Sequence, residues 1–207
     1  MRRITLLAAT AIIATAITLA ASTPAGADDP AAPAPEGAQT TQAAELVNGA
    51  VYTFRGKVNT AKCLDMEYWG TGTRVPLTHW DCNNGANQNF RVRYVHPNRI
   101  PDDHRPLVML ENVNSGKCLG VRVKTFDDYE EKDRIEQDWC DASYYARMWV
   151  VISNDDDGSY TFCNFVHEVN DKRRCMDIPY ATPGNTKTVW VADPNGTSAQ
   201  RFFAQQR

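Results

Sequence analysis

The residues of this 207-residue chain that could do chemistry are its six cysteines, its four histidines and a run of adjacent aspartates, and spacing rules out most of the reactions they suggest. No Gly-x-Ser-x-Gly elbow is present to expose a nucleophilic serine. His79, His96, His104 and His167 do not form a His-Glu-x-x-His pair; His167-Glu168-Val169-Asn170-Asp171 ends in Asp where the second zinc ligand would stand. A triad built from distant residues would leave no local spacing to find, and nothing supports one. In Asn154-Asp155-Asp156-Asp157-Gly158 the acids are adjacent rather than alternating, and no bidentate Glu lies where a calcium loop needs it. Asp157-Gly158 ahead of Ser159-Tyr160-Thr161-Phe162 reads instead as a hairpin turn. Asn195-Gly196-Thr197 fits a glycosylation sequon, with a glycine turn as the simpler account. The chain is expected to be no enzyme, with no catalytic residue, metal or cofactor.

The cysteines are more informative because they recur. Val58 to Met66, Val113 to Val121 and Val169 to Ile178 share one pattern: Val-Asn, a polar turn, then Cys-hydrophobic-Asp/Gly-hydrophobic. The central Cys63, Cys118 and Cys175 stand 55 and then 57 residues apart. Each segment has a similar second half. Trp80-Asp81-Cys82 leads to Gln88-Asn89-Phe90, Trp139-Cys140 to Arg147-Met148-Trp149, and Asp193-Pro194 to Gln200-Arg201-Phe202. Aromatic and β-branched residues come in short runs broken by Asn, Gly, Asp and Pro, the punctuation of an all-β domain. Three such units, each unable to close its own core, imply assembly about a pseudo-threefold axis, with strands and turns and little helix.

The elements that must carry these repeats begin late in the chain. Arg2-Arg3, the uncharged apolar run from Ile4 to Ala21, and Pro24-Ala25-Gly26-Ala27 have the form of a signal peptide, with cleavage expected after Ala27. Retention of the run as a membrane anchor is the alternative. Residues 28-46, rich in Pro and Ala, read as a disordered linker, and 47-207 as the folded domain, in repeats of about 47-106, 107-157 and 158-207. Cleavage would take two Arg and no acid, moving the net charge from −3 to −5. With no Lys/Arg block, no nucleic-acid partner is expected, nor any membrane contact after cleavage. A secreted, extracellular chain meets oxidising conditions, so the cysteines are read first as disulfides.

The Cys-Leu-Asp, Trp-Asp-Cys and Gln-x-aromatic elements, present three times in order, resemble the subdomains of a ricin B-chain-type (R-type) lectin, as in secreted bacterial carbohydrate-binding modules. The resemblance covers roughly residues 48-205 and implies a β-trefoil. It also implies bridges Cys63–Cys82 and Cys118–Cys140, each inside one repeat, which leaves Cys163 to pair with Cys175. That third bridge departs from the family pattern, because Pro194 stands where the repeat would place its second Cys.

A pyranose asks for a carboxylate or amide to take its hydroxyls and an aromatic ring to cover its apolar face. Carried over residue by residue, the resemblance makes Asp65 the hydroxyl acceptor, Trp80 the stacking platform, Asn87 a second polar contact and Gln88 the brace behind Asp65. His79 and Tyr68 are expected at the rim. In the second repeat Gly120 replaces the Asp, and a bound sugar would lose about 1–3 kcal/mol for each unpaired hydroxyl, so no site of the family type is expected there. The third repeat keeps Asp177 and Gln200, and Tyr180 follows its Asp as Tyr68 follows Asp65. Ala192 and Ala199 take the stacking and Asn positions, however, and Trp190 would be displaced by about 6–7 Å. That makes a second, weaker site. An Asp after the Cys could equally be a turn-former that bonds backbone, and Trp139 and Trp149 read as core or strand-packing residues.

The expected function is therefore non-catalytic binding of galactose- or xylose-type glycans or polysaccharides, mainly through the first repeat. The alternative is a trefoil interaction or inhibitor protein whose sugar sites have decayed. Two charged inserts, 97-106 and 126-133, are solvated loops or a surface for a protein partner.

Overall fold

The computed structural model describes residues 44–95, 105–122, 132–168, 172–186 and 188–207. The expected signal segment 1-27, nearly all of the expected linker 28-46, and most of the inserts 97-106 and 126-133 lie outside the described residues. Each repeat supplies four strands. The first has β1 (Val51–Gly56), β2 (Lys62–Met66), β3 (Leu77–Asp81) and β4 (Phe90–Tyr94); the second has β5 (Leu107–Asn112), β6 (Cys118–Val121), β7 (Ile135–Asp138) and β8 (Trp149–Asn154). The third has β9 (Ser159–Asn164), β10 (Cys175–Asp177), β11 (Trp190–Ala192) and β12 (Phe202–Gln206). A 3-10 turn precedes each fourth strand, at Ala86–Gln88, Tyr145–Arg147 and Ser198–Gln200, and one α-helical turn, Phe165–Glu168, follows β9. No described helix is long and apolar enough to cross a membrane.

The pairings close a ring. Antiparallel partners run β1 to β4, β4 to β5, β5 to β8, β8 to β9, β9 to β12 and β12 back to β1. Such closure leaves the six strands no free edge to pair elsewhere. The hairpins β2–β3, β6–β7 and β10–β11 hang from the first strand of their repeats by the pairs Arg55↔Cys63, Glu111↔Cys118 and Cys163↔Cys175. This is a β-trefoil, and its repeats match the sequence periodicity.

The ring is filled from equivalent positions. The fourth residue of each first strand (Phe54, Leu110, Phe162) and the first residue of each fourth strand (Phe90, Trp149, Phe202) are fully buried. Phe54 meets Phe162 edge-on with centroids 5.1 Å apart, and each such ring contributes about 1.5–3 kcal/mol by leaving water. Trp149 closes its polar account by donating Nε1 to the Leu119 carbonyl at 3.0 Å, so it is the core residue the sequence suggests. Trp139 is not: it is 68% exposed, with the Lys117 ammonium 4.4 Å from its ring, because β7 ends one residue before it.

Three disulfides join Cys63 to Cys82, Cys118 to Cys140 and Cys163 to Cys175, across 19, 22 and 12 residues. Loops of this size are each worth roughly 3 kcal/mol in the chain-entropy picture. In the first repeat Lys62, just before the Cys, pairs with Asp81 at 2.6 Å. Arg174, just before Cys175, pairs with Asp193 in the same way. The ion pair therefore persists in the third repeat although the bridge has moved to β9.

The domain starts earlier than the composition suggests. Leu46, assigned to the linker, is buried in the main core, and the hydroxyls of Tyr94 and Tyr160 donate to the carbonyls of Leu46 and Ala44. A lone apolar residue at the end of a Pro/Ala stretch carries no periodic signal, so its burial is decided by tertiary packing. The Asp155-Asp156-Asp157 run lies at the β8–β9 turn, with Gly158 at φ 72°. Two of its three carboxylates are taken by cations: Asp157 by Lys57, and Asp156 and Asp157 by Arg201 at 2.7 and 3.1 Å.

His79 is also in the interior rather than at a rim. On β3 it lies opposite Leu64, and a strand turns alternate residues to opposite faces. Its neighbours Thr78 and Trp80 therefore face outward together while His79 is fully buried, near Gly56 and Ile178. Neither ring nitrogen has a hydrogen-bond partner among the described residues. Burial, with a smaller push from Lys62, lowers its pKa from 6.5 to about 4. The unfolded chain thus takes up a proton that the folded chain refuses, so stability is lost as pH falls from 6.5 toward about 4. Urea unfolding across that window should show His79→Leu losing up to about 3 kcal/mol less than the parent. Equal losses in both proteins would place the pH dependence elsewhere.

Candidate functional site

The first-repeat hairpin pairs Cys63 with Trp80 and Asp65 with Thr78. Alternation puts these four on the face away from the core, and the 3-10 turn Ala86–Gln88 folds over them. Asp65 is buried, and both amides converge on one of its oxygens: Asn87 Nδ2 donates to Oδ2 at 2.9 Å and Gln88 Nε2 at 2.6 Å. Neither amide donates to Oδ1. Gln88 is itself fixed, donating to the Asp81 carbonyl at 2.8 Å and accepting from the Asn83 N–H at 2.8 Å. It stands behind the carboxylate as a brace. Thr78 Oγ1 donates to the Asp65 carbonyl at 3.0 Å.

Desolvation raises the Asp65 pKa above the ordinary carboxylate value, opposed by the hydrogen bonds from Gln88 and Asn87. Asn87 Oδ1 is buried without a partner among the described residues. A buried acceptor left in that state costs about 1–3 kcal/mol.

These groups floor a cavity of about 160 Å³ whose walls include Trp80, Tyr68, Trp69, Glu67 and Asn83. Tyr68 is where the sequence expectation puts it, at the rim. Trp69 was not expected there. Tyr68 and Trp69 both sit in the left-handed region, at φ 52° and 58°, a conformation that costs non-glycine residues of order 1–3 kcal/mol and gathers at functional sites. It throws both rings outward, 79% and 51% exposed. Gly85 makes room for the indole, since a Cβ there would come within 2.2 Å of Trp69 Cη2 and 2.5 Å of Asn87 Oδ1. The sequence signal was available: an aromatic doublet directly after the Cys-x-Asp strand, with a glycine just ahead of Asn87.

The third repeat copies the backbone but not the chemistry. Tyr180 and Ala181 repeat the left-handed pair at φ 55° and 50°, and Tyr180 is 85% exposed. Gln200 repeats the brace, accepting from the Asn195 N–H at 3.0 Å and donating to the Asp193 carbonyl at 2.8 Å. Trp190 lies directly opposite Asp177, in the place of Thr78. Its Nε1 donates to Asp177 Oδ1 at 3.3 Å, and its ring meets Tyr180 edge-on at 5.5 Å. The displaced indole thus covers the carboxylate instead of walling a cavity beside it. In the second repeat Gly120 leaves no acceptor. Among the described residues no group of three or more His, Cys, Asp or Glu could hold a metal ion.

Residues 50–202 match the model of the ricin-type beta-trefoil lectin domain. Comparison with curated proteins finds no match. Among solved structures, the designed threefold-symmetric protein ThreeFoil superposes with a TM-score of 0.61 at 18% identity, over 74% of this chain and 96% of that one. The Rhizoctonia solani agglutinin gives 0.60 at 16%, over 80% of this chain and 100% of its own. The Macrolepiota procera ricin B-like lectin, in complex with lactose, gives 0.60 at 12%, over 79% and 100%.

The Gly85 contact is directly testable. Gly85→Ala should push the Trp69 indole out of its seat, seen as a large shift of that indole N–H resonance and greater acrylamide quenching, both absent when Trp69→Phe is added. An unmoved resonance would mean that Trp69 does not pack on Gly85.

Proposed function

The chain belongs to the ricin-type β-trefoil lectin family, a carbohydrate-binding family, and from that membership we propose that it is a secreted, non-catalytic lectin that reads a galactose- or xylose-type pyranose through its first repeat. The observation that carries the proposal is the Asp65 carboxylate, held at Oδ2 by two amides at the floor of an aromatic-walled cavity. Its role there is to accept two neighbouring hydroxyls while Trp80 covers the apolar face of the ring and Asn87 steadies the carboxylate. Trp69 and Tyr68 extend the wall toward a second sugar unit. The likeness to a fungal lectin captured with lactose supports a galactoside as the first ligand to try. The third repeat contributes little, because its carboxylate already holds the Trp190 indole. Export fits the three disulfides, which persist in oxidising compartments.

A single small cavity offers few contacts to offset the cost of ordering a sugar, so one site binds weakly and useful affinity comes from several copies on one polymer. Glycan-array binding by the mature chain should be specific for one terminal sugar type. Asp65→Ala and Trp80→Ala should each weaken it about tenfold or more, as expected for loss of a charged hydrogen bond or a stacking face. Binding unchanged by both substitutions would refute the first-repeat assignment.

A further inference from the structure

The second repeat carries a larger cavity than the first, about 360 Å³, at the corresponding place on its own hairpin. Gly120 stands opposite Glu136 on β6–β7 as Asp65 stands opposite Thr78 on β2–β3. Arg147 ends its 3-10 turn as Gln88 ends the first. The polarity of the floor is reversed. A Cβ on Gly120 would meet the Ala146 carbonyl oxygen at 2.6 Å and Arg147 Cδ at 2.7 Å, so the Arg147 side chain fills the space that an Asp would need.

The guanidinium is held in place without being used up. Arg147 Nη2 donates to Asp138 Oδ2 at 2.6 Å, whereas its Nη1 makes no hydrogen bond among the described residues. Two further cations line the same cavity. Arg122 is only loosely paired with Glu136, at 3.8 Å, and the Arg74 guanidinium makes no hydrogen bond among the described residues. Three guanidinium groups therefore face the two carboxylates Glu136 and Asp138, an excess of positive charge. Tyr144, 59% exposed, adds an aromatic wall 5.6 Å from the Arg147 guanidinium.

We propose that the second repeat is a separate site for a carboxylated sugar, a hexuronate residue of an acidic polysaccharide, with its carboxylate on Arg147 and the rim arginines and its ring against Tyr144. A planar guanidinium fork matches a carboxylate through two parallel N–H donors, and that match discriminates against a neutral hydroxymethyl group at the same position. The site shares no side chain with the first-repeat cavity, so it stands whether or not Asp65 binds sugar.

The test is calorimetric titration of the full mature chain with digalacturonate at low salt, with neutral galactobiose as control, in the parent and in Trp80→Ala, Arg147→Gln and Arg122→Ala. Digalacturonate binding should survive Trp80→Ala, weaken about tenfold or more in Arg147→Gln and by a smaller factor in Arg122→Ala, and fall as salt is raised. Arg122 stands at the rim, so its variant reports even if Arg147→Gln disturbs the fold. The proposal is overturned if the parent does not bind digalacturonate, if binding disappears in Trp80→Ala, if Arg122→Ala and a folded Arg147→Gln bind as the parent does, or if a sulfated neutral sugar binds and the uronate does not.

Discussion

Six strands close into a ring because each repeat hands its fourth strand to the first strand of the next: β4 to β5, β8 to β9 and β12 to β1. Phe54 of the first repeat meets the Phe162 ring of the third edge-on, and Phe54, Trp149 and Phe202 share one core cluster built from all three repeats. Closure therefore comes before anything a hairpin does. Once the ring is made, β2–β3, β6–β7 and β10–β11 are held at their bases by one strand pair and a disulfide each, and their outward faces need not contribute to the core. Those faces are where the sequence was free to diverge.

The divergence has a simple electrostatic form. On one backbone arrangement the first hairpin presents a carboxylate steadied by two amides, the second a guanidinium steadied by a carboxylate, and the third a carboxylate steadied by an indole. In each case the central group is desolvated and must be paired, but the pair leaves different valences open. Asp65 keeps Oδ1 clear of both amides. Arg147 keeps Nη1 without a hydrogen bond among the described residues. Asp177 spends an oxygen on Trp190. A sugar with hydroxyls suits the first arrangement, and one with a carboxylate suits the second.

Much of the fold was legible in the sequence because the repeats share cysteines at near-equal intervals and an aromatic that opens each fourth strand. Asp65, Trp80, Asn87 and Gln88 stood out because their spacing matches a known pattern. The misplaced residues fail for physical reasons. His79 sits between two outward-facing residues, so strand alternation sends it inward whatever its polarity. Leu46 joins the core through contacts that no local period announces. Trp139 falls just past the end of a strand, where an apolar residue need not be buried. Trp69 and the Arg147 side chain depend on a left-handed backbone pair and on the space left at Gly120, and both are tertiary facts. A glycine in place of the expected Asp was legible as a loss, but its meaning as room for an arginine needed the third dimension.

If a neutral sugar docks in the first-repeat cavity, the five tryptophans report it separately: Trp69 and Trp80 wall the cavity, Trp149 fills the core, and Trp139 and Trp190 belong to the other two repeats. The most direct measurement is a titration of the indole N–H resonances with lactose and with xylobiose. Saturable shifts of Trp69 and Trp80 with one of these sugars, while the other three resonances stay in place, are the predicted result. Saturable shifts centred on Trp190 or Trp139, with Trp69 and Trp80 unmoved, would contradict it.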